Sequence, residues 1–155
     1  MTAGRFFPRD EYFMRLALRE AERALEHEDV PVGALVVHGG EVIGAGCNER
    51  QLRQDPTAHC EILALREAAR RLGTWRLANT VLYVTLEPCA MCAGAIVLAR
   101  VPRVVYGTAD PKAGAAGSVL DVLGEKRLNH RPEVAGGLLA GESAALLQSF
   151  FGSRR

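Results

Sequence analysis

From residue 10 to about residue 28, the apolar residues Met14, Leu18, Ala21 and Leu25 recur at intervals of four, three and four, interleaved with Arg15, Arg19, Glu22 and Glu26. That period predicts an amphipathic helix, with Asp10 as its cap. Beyond it the pattern changes. Residues 32–37 are apolar and β-branched, Gly39 and Gly40 make a two-residue turn, and residues 41–46 return, which predicts a β-hairpin whose second strand is closed by Asn48. A polar stretch, 49–56, leads to a helix expected over 59–72, capped by Thr57 and stopped by Gly73. Then come a strand over 81–85, a helix over 89–99 and a strand over 103–106. A loop rich in Gly and Ala spans 108–118, and a short strand near 133–135 and a helix over 142–151 complete the chain. Because helix and strand alternate in the second half, its strands are expected to pair in parallel.

The chain has 155 residues, 48% of them hydrophobic and 24% charged, which fits one ordinary globular domain over residues 1–155. Its first thirty residues are dotted with charges, and no apolar run approaches the roughly 18 residues of a membrane span. A cytoplasmic protein without a membrane partner is therefore expected, with Cys47, Cys60, Cys89 and Cys92 reduced. Net charge is +1 but unevenly spread: residues 1–61 carry 7 bases and 11 acids, and residues 62–155 carry 12 bases and 7 acids. That asymmetry permits a polyanionic partner without requiring one.

Two segments carry candidate chemistry, His59-Cys60-Glu61 and Pro88-Cys89-Ala90-Met91-Cys92, each at an expected helix start. Cys89 and Cys92 are three apart, so their sulfurs converge on one helical face, and a helix N-terminus favours the thiolate that a metal needs. With His59 they make one nitrogen and two sulfur ligands, leaving the fourth tetrahedral position of a zinc ion open to water. A closed structural site would need a fourth ligand, and the chain has no second Cys or His pair to supply it. Residues i and i+2 of a regular helix point about 200° apart, so His59 and Glu61 share a pocket only over the first turn. There a carboxylate can move protons to and from a metal-activated water. Taken alone, Glu61 also has a plainer reading, as an acid favoured in a helix's first turn.

H-x-E followed by P-C-x-x-C matches the signature of zinc nucleoside and nucleobase deaminases. The likeness runs on through Val30-Pro31-Val32-Gly33-Ala34, Asp55-Pro56-Thr57-Ala58, Thr85-Leu86-Glu87, Ala93-Gly94-Ala95 and Lys112-Ala113-Gly114-Ala115-Ala116-Gly117-Ser118. By these segments the chain resembles the bacterial tRNA-specific adenosine deaminases from about residue 12 to 151.

The resemblance implies an α/β chain of cytidine-deaminase-like fold, three layers α/β/α with a central mixed five-stranded sheet and helices on both faces. It further implies a homodimer, one Zn2+ per subunit, and conversion of the wobble adenosine of an arginine tRNA to inosine, by zinc-activated water with Glu61 as proton carrier. Asn48 matches the family position that contacts the flipped-out base, and Asp110 the acid set against the target sugar. Lys112 opens a loop, 112–118, that resembles the family segment beside the RNA path. Cys60 departs from the small alanine usual between ligand and acid, and is expected to be a buried spacer. The alternatives are a zinc deaminase of free guanine or cytosine, or a non-catalytic zinc-stabilised RNA-binding module. His59 in place of a cysteine argues against the free-cytidine branch.

Overall fold

The computed structural model describes residues 4–153, so residues 1–3 and 154–155 of the expected domain lie outside the described residues. Five strands, β1 (Gly33–His38), β2 (Glu41–Cys47), β3 (Thr80–Leu86), β4 (Arg103–Thr108) and β5 (Glu133–Gly136), form one sheet in the order β2-β1-β3-β4-β5. The first two make the expected hairpin, and β1 also pairs antiparallel with β3. β3, β4 and β5 pair in parallel, as the alternation of strand and helix requires.

The pleat of β1 sends Ala34 and Val36 to one face and Leu35 and Val37 to the other, and all four are buried. The first face, extended by Leu82, Val84 and Val104, packs on Ala64, Leu65 and Ala68 of α3 (Cys60–Leu72) and on Ala93, Ile96 and Val97 of α4 (Ala90–Ala99). The second, with Tyr83 and Val105, packs on Phe13, Met14 and Ala17 of α1 (Pro8–Glu22). α5 (Ala140–Gly152) lies beside α1, where Glu142 approaches Arg15 at 3.8 Å. The architecture is the expected three-layer α/β/α arrangement on a mixed five-stranded sheet.

Local details depart from expectation. α1 starts at Pro8, and Asp10 is its third residue rather than its cap; the Asp10 carboxylate reaches back to accept the Phe7 N–H at 2.6 Å. The helix ends at Glu22 and tightens into a 3₁₀ turn, Arg23–His27. It buries Phe13, Met14, Ala17, Ala21 and Ala24, whereas Leu25 is 43% exposed. Small residues win because the helix lies directly on the sheet: a Cβ on Gly33 would stand 2.2 Å from the Ala17 carbonyl oxygen. The polar stretch contains one helical turn, α2 (Arg50–Arg53). Thr57 does not cap α3; its N–H and hydroxyl donate to Asp55 Oδ1, and His59 occupies the cap position. Asn48 supplies the missing acceptor, its Oδ1 taking the Cys60 N–H at 3.0 Å. Among the described residues, no helix is long and apolar enough to cross a membrane.

Candidate metal centre and active site

Two helix N-termini meet at the end of β3. His59 is the cap residue of α3 and Cys89 that of α4, yet neither side chain caps its own helix. Both are in extended backbone conformation, turning their side chains out of the helices and toward one another, and Cys92 joins them from the first turn of α4. Among the described residues, these three form a group whose ligand atoms all lie within 4.8 Å of one another. His59 Nδ1 is 3.6 Å from Cys89 Sγ and 3.6 Å from Cys92 Sγ. A nitrogen at about 2.05 Å and a sulfur at about 2.3 Å from a common centre, at the tetrahedral angle, lie about 3.6 Å apart. The donor set and its spacing thus fit one tetrahedral metal ion with an open fourth position.

The electrostatics suit a cation. The hydrogen bond from Cys92, with His59 behind it, pulls the Cys89 thiol down to about 3, while the same bond and burial push the Cys92 thiol up. The Cys89 sulfur in turn raises His59. The positive ends of α3 and α4 add to the stabilisation of thiolate and carboxylate.

Glu61, 4% exposed, lies on the first turn of α3 and lines the same cavity as His59 and Cys89, about 170 Å³ in volume. Burial pushes its carboxyl above the ordinary range. Cys60 lies outside the three-ligand group and is wholly buried, as a spacer should be. Its thiol does more than fill space, donating to Glu61 Oε1 at 3.1 Å.

Of the remaining expected residues, Asn48 and Asp110 line this cavity and Lys112 does not. Asn48 lines it; besides holding the Cys60 N–H, its amide donates one hydrogen to the Val30 carbonyl at 3.1 Å. A second amide hydrogen remains for a ligand. Asp110 lines the cavity too, its Oδ1 accepting the N–H groups of Lys112 and Ala113. Lys112 is exposed in that same turn.

Two lining residues escaped the sequence reading. Arg50 reaches the cavity with its guanidinium held by Asp29 at 2.9 Å. Glu87 is buried at the base of the Asp110 turn. Burial alone would raise its carboxyl, but hydrogen bonds from Ser118 and from three backbone N–H groups hold it below the usual range. Its sequence signal is a charged residue at the end of an apolar strand, one step before the proline that precedes a ligand.

Comparison with known proteins gives consistent findings. Residues 9–155 match the MafB19-like deaminase family model. The chain is 49% identical over 142 residues to a tRNA-specific adenosine deaminase of Bacillus subtilis strain 168, covering 92% of this chain and 88% of the relative. It is similar to a solved tRNA:A34 deaminase studied for A-to-I editing at the wobble position of transfer RNA, with a TM-score of 0.85 and 46% identity over 88% of this chain and 99% of the other. A guanine deaminase of Bacillus subtilis is similar at a TM-score of 0.64 and 38% identity, covering 73% of this chain and 72% of that one.

Proposed function

The chain belongs to the MafB19-like deaminases and, among them, to the tRNA-specific adenosine deaminases, and from that membership we propose that it converts the wobble adenosine in the anticodon loop of an arginine tRNA to inosine, releasing ammonia. The observation that carries this reading is the convergence of His59, Cys89 and Glu61 on one cavity, with Cys92 completing the ligand group. His59, Cys89 and Cys92 would hold one zinc ion per subunit, which supplies Lewis-acid activation of water near neutral pH. Glu61 would take one proton from a water in the cavity on its carboxylate as the water oxygen bonds to C6, and would deliver that proton to N1 of the adenine ring. It then carries the second proton to the exocyclic nitrogen on C6, which leaves as ammonia while oxygen remains on C6.

Asn48 offers its remaining amide hydrogen to the base, Asp110 accepts from the sugar, and Lys112 lies outside them, suited to a phosphate. An anticodon loop lowers the cost of presenting the base, because its bases are already largely unpaired.

A second copy of the chain is the proposed partner. Every residue of α4 except Cys92 is apolar or lacks a side chain, yet Leu98 is 70% exposed and borders an apolar groove with Ile62, Ala69, Ala95 and Trp75, itself 58% exposed. A helix apolar all round requires cover on all sides.

The nearest other reading keeps the chemistry and takes free guanine. The 38% identity and lower TM-score of the guanine deaminase, against 49% and 46% for the tRNA-acting relatives, favour the RNA. A non-catalytic zinc module has no use for a buried acid beside an open metal position. The test is to incubate the protein with an arginine tRNA anticodon stem-loop and, separately, with free adenosine, guanine and cytosine. Inosine at the wobble position, with the free compounds untouched, is the expected result. Turnover of guanine with unaltered RNA would move the assignment to the base deaminases.

A further inference from the structure

Part of the cavity wall is built from the Asp110 turn, whose own bonds, from the Lys112 and Ala113 N–H groups to Asp110 Oδ1, hold only its first residues. From Ala113 to Gly117 the residues are Ala, Gly, Ala, Ala and Gly; Ala115 and Ala116 pack into the core with one methyl each, and the two glycines leave much backbone freedom to lose. Glu87 supplies the anchor. Its Oε1 accepts the Asp110 N–H at 3.0 Å and the Ser118 hydroxyl, and its Oε2 accepts the N–H groups of Ala116 at 2.9 Å and Ser118 at 3.1 Å. Four donors fill the acceptor sites of one carboxylate. The partners come from both ends of the loop, so one side chain gathers the whole segment. Gly114 must be glycine for this closure, because a Cβ there would stand 2.4–2.5 Å from the carboxylate atoms of Glu87. A bond from the Ala115 N–H to the Pro88 carbonyl at 2.7 Å and a bridge between Cys89 and Gly114 tie the loop to the turn that carries the metal ligand.

We propose that Glu87 is a positioning residue for the reaction: it fixes the loop from Asp110 to Ser118, and so sets where Asp110 and Ala113 stand against the bound nucleoside. The proposal rests on the deaminase reading for its substrate but not for its geometry. Glu87 touches no reacting atom. It acts through the cavity wall, so loss of the clamp weakens capture of the RNA more than it slows the turnover of RNA once bound.

Glu87→Gln is nearly isosteric and tests the clamp, since whichever way the amide turns its NH₂ faces at least one backbone N–H that needs an acceptor. Amide hydrogen exchange should quicken at Asp110, Ala116 and Ser118 by about fivefold or more, the scale set by leaving a buried donor unmet. With the anticodon stem-loop, KM should rise by about fivefold or more while kcat stays within about twofold and one zinc per chain is retained. Ser118→Ala removes only the hydroxyl donor and should give the same changes to a smaller degree, and the two substitutions together should change less than the sum of their separate effects. Wild-type exchange at these amides in Glu87→Gln would overturn the clamp. Faster exchange with a wild-type KM would overturn the positioning role. Should Glu87→Gln fail to fold, Ser118→Ala decides alone: wild-type exchange at Asp110 and wild-type KM overturn the proposal. Because exchange needs no substrate, a wild-type protein that makes no inosine counts against the function and leaves the clamp to be judged by exchange.

Discussion

His59 Nδ1 stands 3.6 Å from Cys89 Sγ, although 30 residues separate them, and each occupies the cap position of its own helix without capping it. Those side chains are committed to each other, and their spacing is that of two ligands on one metal. His59→Ala should therefore bind less than one zinc per chain, lose activity and melt at a lower temperature, because metal-binding free energy is also folding free energy. Metal analysis and a melting curve check this, and a variant with full zinc content would contradict the ligand set.

Cys60 has no place in that ligand set. Cys60→Ala should keep one zinc per chain and lose about 1 kcal/mol of stability from the small void left by the sulfur in a fully buried site. Loss of stoichiometric metal in this variant would require a different set of ligands.

A second tie holds the far end of the molecule. Arg103 makes bonds of 2.9 Å and 2.8 Å to the two oxygens of Asp10, and the Tyr83 hydroxyl donates to the same carboxylate at 2.7 Å. Arg103→Ala leaves a buried carboxylate without its counter-charge and should cost about 3 to 5 kcal/mol in denaturant unfolding. Tyr83→Phe should cost only about 1 kcal/mol.

The same carboxylate sets an acid limit. Burial works to raise the Asp10 carboxyl, but Arg103, the Phe7 N–H and Tyr83 outweigh it and hold the group below its ordinary 3.8. A depressed folded-state value contributes stability above the unfolded-state value and loses it as the pH falls through the folded one. Stability should therefore decline as the pH drops below about 3.8, and Arg103→Ala should flatten that part of the profile.

Leu98→Asp should leave the fold intact, since the side chain is 70% exposed in one chain, and should turn a dimer into a monomer by burying a charge at the contact. Sedimentation at micromolar protein reads the outcome. An unchanged sedimentation coefficient would place the interface elsewhere.

The site was legible where its pieces are short-range. His59-Cys60-Glu61 and Pro88-Cys89-Ala90-Met91-Cys92 sit at helix starts recognisable from the period of the helices that follow, and a helix start is what aims those side chains. Glu87 was not legible, because its partners lie 23 to 31 residues further on and are mostly backbone N–H groups, which leave no mark in a sequence. The cap of α3 was misplaced for a similar reason: Thr57 has the right chemistry nearby, but Asn48, 12 residues before Cys60, has the right position. In α1 a leucine-bearing stripe and an alanine-rich stripe both include Met14, and only contact with Gly33 selects the second. Strand order needed less, since a hairpin followed by alternating helix and strand leaves few ways to assemble one sheet.

Glu61 is proposed to carry protons and to bind no metal. In Glu61→Ala the three ligands and the start of α3 remain, so zinc content, melting temperature and binding of the anticodon stem-loop should match the wild type within about 1 kcal/mol. Inosine formation should fall by about 10⁴-fold, the upper end for a group that serves several proton transfers. Single-turnover measurement of inosine with zinc-loaded Glu61→Ala protein is the direct test: a zinc-replete, RNA-binding variant that makes almost no inosine is the predicted result, and wild-type editing by that variant would contradict the mechanism.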